Sequence, residues 1–386
     1  MTEQLRLLFL NYEYPPIGGG GGTTTHFLAE NISAQGHHVY VLTGGIPGHY
    51  GKERLSDNLS VERIATTRSR PDASTVPQMG LYVAHASLLL PARIRDFKPD
   101  VIHVFFSFPT GAVMGWARYF YPQPYVISLL GGDVPGADPA VDTLHKVLMP
   151  FTRALWKGAG AVVPNSQRLG ELAANVVDMR YPVIPNGVDL RIFHPRRSER
   201  AAQQLRYLFV GRLVEQKGLD ILLNALAQVK NQLPEWRLTV IGDGPKGPEY
   251  RRLAESAGIE ELIQWKGWVD FSELPAIYRE HDIFILPSRY EGMPSVVIQA
   301  MACGCAVLAT QVYGIDELVN QGINGYHVPL NSPGAFEEGL VQISNHPNLA
   351  DMQQAAVEQA AHFGWDRIAQ EYVDLYRQIL KKDNHG

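Results

Sequence analysis

The sequence predicts an α/β protein built from two doubly wound, Rossmann-like parallel-sheet domains facing each other across a cleft. Three observations predict it. The strand-like runs, such as "RLLFLN" and "IFILPS", are continuously apolar rather than alternating, as parallel strands buried on both faces require. Helical patterns separate them, which implies right-handed βαβ crossovers. The whole pattern then restarts near residue 205, after the polar, Arg-rich stretch "RIFHPRRSERAAQQLR".

In chain order, the first half offers strands at "RLLFLN", "HHVYVLT", "SVERIA", "DVIHVFF", "YVISLL", "AVVPNS" and "YPVIPNG". The second half offers "RYLFVG", "RLTVIGDG", "IQWKGWV", "IFILPS", "AVLAT" and "GYHVP". The resulting organisation is a first domain at 1–190, a linker at 191–204 and a second domain at 205–363. A terminal segment, 364–386, follows. The linker's arginines (Arg191, Arg196, Arg197, Arg200) read as a solvated connector. The terminal run "WDRIAQEYVDLYRQILKK" places Ile368, Tyr372, Leu375, Tyr376 and Ile379 at helical spacing, so it is expected to pack back on the first domain.

Composition excludes several classes. With 386 residues and a net charge of −5, the chain lacks the basic field that nucleic-acid binding uses. No run approaches a membrane span, and the first residues carry no secretory pattern, so a cytoplasmic location is expected. Two cysteines, Cys303 and Cys305, are too few for a metal cage and read as small core residues beside a helix-ending glycine. His103 in "DVIHVFF" reads as a core histidine. His26, one turn into the helix after the glycines, faces either the cleft or the core.

Ligands of open α/β sheets bind beyond the carboxyl ends of the strands. Five glycines, Gly18–Gly22, follow the first strand, but no register of them satisfies G-x-G-x-x-G and the second strand ends without an acid, which argues against NAD. No P-loop pattern exists, and no D-x-D offers metal ligands for a nucleotide diphosphate. An anion could instead be held by "GRLVEQKG". There Gly211 opens the turn, Arg212 can fork two phosphate oxygens and Lys217 supplies a point charge. "EGMPSVVIQAMA" adds a helix start with Pro294 suited to the first helical position and free N–H groups near Gly292, Met293 and Ser295.

These segments, with "PPIGGG", "KPDVIHV", "SLLGGDV", "IPNGVD", "VIGDGP" and "PSRYEGMPSVVIQAMACG" in order, resemble glycosyltransferase family 4, whose fold is the two-domain GT-B architecture. The resemblance implies metal-independent transfer of a sugar from a nucleotide donor, with retention at the anomeric carbon, and no cofactor. It implies that Arg212 and Lys217 hold the donor diphosphate and that Glu291, the first carboxylate of an E-x7-E motif, contacts the donor sugar. Gly292, Met293, Pro294 and Ser295 would meet sugar and phosphate through their backbone. Gly211 would border the donor, and Gly267 and Val269 would line the base. Gly19 and Gly20 would bring backbone close to the donor without a colliding Cβ. Gly21 and Gly22 exceed the motif and read as added flexibility.

Two departures stand out. The second glutamate of E-x7-E is Gln299, which would grip a ribose more weakly, a charged hydrogen bond being worth about 1.5–3 kcal/mol against roughly 1 for a neutral one. Leu130 stands where many members carry a histidine. Asp133 nearby either contacts the acceptor or caps the following turn. His26 and Asp133 are the acceptor candidates. The implied mechanism is front-face attack, with Glu291, Arg212 and Lys217 as the catalytic group. A catalytically weak donor-binding member, or a related nucleotide-sugar epimerase, are the alternatives. The acceptor is a glycan, a lipid-linked saccharide or a small metabolite. The segment 79–98, with Arg93, Arg95 and Lys98, reads first as a first-domain helix packed on the sheet; if the acceptor is a lipid, it would also touch the inner face of a membrane.

Overall fold

A computed structural model describes residues 4–68, 74–138, 141–196, 204–330, 332 and 334–383. The chain divides into two compact units, 1–186 with 365–386, and 187–364.

The first unit runs β1 (Arg6–Asn11), α1 (Gly20–Ala34), β2 (His38–Gly45), β3 (Gly51–Arg54), β4 (Leu59–Ala65), α2 (Val76–Phe97) and β5 (Val101–Phe105). It continues with α3 (Gly111–Ala117), β6 (Tyr125–Leu129), α4 (Asp142–Lys157), β7 (Ala161–Pro164) and α5 (Gln167–Ala174). Its sheet has the order β3-β4-β2-β1-β5-β6-β7. All pairs are parallel except β3 with β4. Without the edge strand β3, the order counted within the unit is 3-2-1-4-5-6, the common doubly wound arrangement. Its topological switch lies between β1 and β5.

The second unit runs β8 (Leu205–Val210), α6 (Leu219–Val229), β9 (Trp236–Ile241), α7 (Gly247–Ser256), β10 (Ile263–Gly267) and α8 (Leu274–Arg279). Then come β11 (Ile283–Leu286), α9 (Ser295–Ala302), β12 (Ala306–Thr310), α10 (Ile315–Leu318), β13 (Gly325–Val328), α11 (Ala335–Ser344) and α12 (Leu349–Ala360). The sheet order is β10-β9-β8-β11-β12-β13, again 3-2-1-4-5-6, with its switch between β8 and β11. The central strands are buried on both faces, matching their uninterrupted apolar sequences.

The chain then returns to the first unit as α13 (Trp365–Asp383). Trp365 stacks on Phe27 of α1 at 6.1 Å between ring centroids. A buried polar chain fixes the register. His103 on β5 meets the Tyr376 hydroxyl at 2.6 Å and the Ser128 hydroxyl at 2.8 Å, and Ser128 in turn meets Tyr372 at 2.8 Å. His103 is therefore a satisfied core residue, and burial pulls its pKa down to about 3. Cys303 and Cys305 are buried and free, flanking Gly304 at φ +90°.

Two strand expectations need correction. "YPVIPNG" forms no strand: Pro182 and Pro185 lack the N–H a ladder needs, and the isolated bridge of Val188 to Gly364 comes just after the run. Conversely β3, "GKER", is a fully exposed antiparallel edge with no apolar signal to announce it. Of the expected linker, Arg191 grips the Asp189 carboxylate at 2.6 Å, while Arg197 and Arg200 lie outside the described residues.

Candidate functional site

In the second unit Gly211, Arg212, Lys217, Glu291 and the segment 292–295 lie on the loops after β8 and β11, which meet at the sheet's switch, while Gly267 and Val269 belong to the end of β10, beyond β9. The loops there are pressed together by glycines. A Cβ on Gly242 (φ +122°) would lie 2.9 Å from the Gly211 carbonyl carbon, and one on Gly218 (φ +64°) 2.9 Å from that of Pro287. Gly211 N–H donates to Ile241 O at 3.0 Å, and Gly242 N–H to Gly267 O at 2.7 Å. This stacking leaves Arg212 exposed at the end of β8.

Residues 215–217 form a single helical turn locked to the segment after β11. Arg289 N–H donates to Gln216 O at 2.8 Å, and the Arg289 guanidinium forks the Asp220 carboxylate at 3.0 and 2.6 Å. That docking brings Lys217 to Glu291: Nζ donates to Oε1 at 2.6 Å. The Ser288 hydroxyl donates to the same oxygen at 2.7 Å. Lys217 has two further N–H groups with which to meet an anion.

The segment 292–295 leads directly into α9. Pro294 is the residue capping that helix, and Ser295 is its first helical residue, which corrects the expected place of the proline by one position. Gly314 (φ +78°) sits so close to Gly292 and Met293 that a Cβ there would lie 2.7 Å from the Gly292 carbonyl oxygen. Met293 is buried in the apolar core, so only its backbone is available. Gln299, one turn into α9, is 6% exposed, and its Oε1 accepts from the fully buried Tyr278 hydroxyl at 3.3 Å. Gly267 ends β10 at φ +69° with open space where its Cβ would stand, and Val269 packs on the core. Between them Trp268 is 72% exposed, an aromatic face in the expected base loop that no motif marked. Among the described residues no cluster of three or more His, Cys, Asp or Glu side chains is placed to hold a metal ion.

In the first unit the glycine run serves several purposes. Gly18 has φ +103°. A Cβ on Gly21 would lie 2.6 Å from Phe106 Cε2 and closer still to the ring tip, and one on Gly22 3.1 Å from Ile17 O, so these two are packing glycines rather than flexible ones. Gly19 and Gly20 have nothing within 4 Å of a Cβ position. The Gly19 N–H donates to Glu13 Oε2 at 3.2 Å, which places a carboxylate at the start of α1. Phe106 (φ +71°), Tyr12 (ring centroids 5.4 Å from Phe106) and Leu130 flank this turn at the ends of β5, β1 and β6.

Of the two acceptor candidates, Asp133 presents no free head, whereas His26 is 32% exposed and engages one ring nitrogen. Asp133 is 4% exposed. Its Oδ2 accepts from Ser107 N–H at 2.8 Å, and its Oδ1 from Leu130 and Gly131 N–H at 3.0 and 3.1 Å. It ties the loops after β5 and β6 together. Burial pushes its carboxyl up to about 6 against those three donors. His26 Nδ1 meets the Tyr14 hydroxyl at 3.0 Å, and burial lowers its pKa.

The family model described as Glycosyltransferase Family 4 matches residues 18–192, and that described as Glycosyl transferases group 1 matches residues 191–362. The D-inositol 3-phosphate glycosyltransferase of Corynebacterium glutamicum is 32% identical over 96% of this chain and 95% of its own length. D-inositol 3-phosphate glycosyltransferase 2 of Catenulispora acidiphila is 33% identical, and there the match spans 52% of this chain and about half, 51%, of that protein. In fold, the chain superposes on sucrose-phosphate synthase from Thermosynechococcus elongatus with a TM-score of 0.85 at 22% identity, covering 97% and 99% of the two chains. Anabaena HepE in complex with UDP and glucose gives 0.75 at 19%, covering 97% and 100%.

Proposed function

Starting from a chain that belongs to glycosyltransferase family 4, we propose that it moves a sugar from a nucleoside-diphosphate sugar to an acceptor hydroxyl, with retention at the anomeric carbon. The observation that carries this is the Lys217–Glu291 pair at the β8/β11 switch, beside exposed Arg212 and the start of α9. Cleaving the sugar–phosphate bond leaves negative charge on the diphosphate and positive charge at the anomeric carbon. Arg212, Lys217 and the backbone of Gly292–Ser295 stabilise the first. Glu291, held by Ser288, orients the sugar and lies on its cationic side. In front-face attack the C–O bond to the diphosphate breaks as the acceptor oxygen bonds to the same face. The acceptor proton passes to the departing phosphate oxygen.

Gln299 takes the ribose, and Gly267, Val269 and the face of Trp268 border the base. HepE, similar in fold, was captured with UDP and glucose, which makes a UDP-sugar the first donor to assay. The acceptor is a glycan, lipid-linked saccharide or small metabolite; the full-length relative's name puts inositol phosphate first among candidates. Gln299 favours one second reading, a member that binds donor with little turnover.

The test is a thermal-shift screen of UDP-, GDP- and ADP-sugars without divalent metal, followed by NMR of the product's anomeric configuration. Ligand at about 100 times Kd adds roughly 2.7 kcal/mol of stability, a readily measured rise in Tm. No stabilisation by any nucleotide sugar, or an inverted product, would end this assignment.

A further inference from the structure

The helical layer formed by α2, α3 and α4 carries apolar side chains that the fold itself does not use. Leu88 on α2, Tyr119 and Phe120 just after α3, and Val147 on α4 are between 72% and 77% exposed. From Val76 to Ala92, α2 contains no Asp, Glu, Lys or Arg, although Val76, Gly80, Ala84 and Leu88 face solvent. A surface helix ordinarily puts charge on that side. The helices that carry these groups pack side by side in a single layer. Trp116 of α3 donates to Ser87 of α2 at 3.0 Å and its ring lies 6.0 Å from that of Phe120. Gly115 of α3 is so close to Phe151 of α4 that a Cβ would come within 2.9 Å of its ring, and Arg118 donates to Ala154 O.

Charge around the patch is one-sided. Residues 76–98, 111–121 and 142–157 hold seven basic side chains against two acidic ones, in a chain whose net charge is −5. Arg93 is taken up by Glu62 at 2.5 and 2.6 Å. Arg95 pairs with Asp96 at 3.1 Å and Lys146 with Asp142 at 2.9 Å, while Lys98, Arg153 and Lys157 are exposed and Arg118 lies 4.8 Å over the Tyr119 ring.

We propose that this face docks on an anionic lipid bilayer. Large apolar groups rimmed by polar ones mark an interaction surface. Aromatic and aliphatic side chains would enter the interface while Lys and Arg stems reach up to acidic headgroups. A second copy of the chain would bring an equally basic rim against this one, so charge complementarity selects the bilayer. The surface shares no residue with the donor-binding set and does not depend on the transferase reading.

Co-sedimentation of the full chain with vesicles of phosphatidylcholine, alone or mixed with phosphatidylglycerol, tests this. Binding is expected only with phosphatidylglycerol and is expected to weaken as salt rises. Tyr119→Ser with Phe120→Ser, and separately Lys98→Glu with Lys157→Glu, should each lower the partition coefficient about tenfold or more at unchanged Tm. Equal binding to neutral vesicles, no binding to either kind, or variants that bind as well as the parent would overturn the proposal. So would a dimer in sedimentation velocity that Phe120→Ser dissociates without any vesicle binding.

Discussion

Lys217 Nζ lies 2.6 Å from Glu291 Oε1, with the two side chains 17% and 9% exposed. The residues sit 74 positions apart, on the loops after β8 and β11, the two strands that meet at the sheet's switch. In a setting this dry the pair behaves as one unit: removing the ammonium leaves a carboxylate with only Ser288 to answer it.

Lys217→Ala is therefore expected to lose stability as well as turnover, by about 1–3 kcal/mol. Arg212→Ala, at an exposed position, should change stability by less than about 0.5 kcal/mol. Both should lose on the order of 10²–10³ in transfer rate. Urea titrations beside steady-state kinetics separate the two effects. Full activity in either variant would remove the diphosphate assignment.

The glycine run makes opposite predictions for neighbours. Gly21→Ala forces a methyl into the Phe106 ring and should cost about 1–3 kcal/mol. Gly20→Ala meets nothing and replaces glycine at the first helical position of α1, so Tm should hold or rise, by up to ~1 kcal/mol in stability. If substrate backbone approach explains Gly20, its turnover falls all the same. An active Gly20→Ala enzyme would leave that glycine without a ligand role.

Gln299→Glu should raise donor affinity about five- to tenfold, because a carboxylate accepts from two ribose hydroxyls. The new charge would be buried beside the Tyr278 hydroxyl, so the free protein should be less stable by about 1 kcal/mol. Titration calorimetry with a nucleotide sugar gives the affinity. An unchanged Kd would take ribose recognition away from this position.

Acid stability carries a signature of two buried histidines. Burial pulls His103 down to about 3 and His281 to about 4, from an ordinary 6.5. Below 6.5 the unfolded chain takes up protons that the fold refuses. Their stabilising effect is thus complete above about 6.5 and drains away as pH falls toward those depressed values. Each contributes a slope approaching 1.4 kcal/mol per pH unit in that window. Tm measured from pH 7 to 4 should fall, and His103→Gln should flatten the fall. A parallel decline in that variant would exclude His103 as a source.

The fold was legible where burial was symmetrical. Continuous runs such as "RLLFLN" and "IFILPS" became central strands because both their faces are covered. "GKER" was illegible for the opposite reason: an exposed edge strand needs no apolar residue. In the site, Arg212, Lys217 and Glu291 could be nominated from strand-end position and resemblance, but no spacing encodes a pairing across 74 residues. Asp133 shows the limit on local reading: its sequence leaves acceptor contact and turn capping equally open, and nothing local announces that Ser107, 26 residues away, supplies a backbone N–H to it. Trp268 has no sequence signal, because one exposed tryptophan carries no periodicity.

The return of α13 to the first unit has a consequence for synthesis. His103 and Ser128 acquire their tyrosine partners only when residues 372 and 376 have been made. The second unit is continuous from 187 to 364 and can close while the earlier-made half still waits on the ribosome. Birth order and maturation order are thereby reversed. A premature stop that removes only the last twenty or so codons would strike the part of the protein that emerged first.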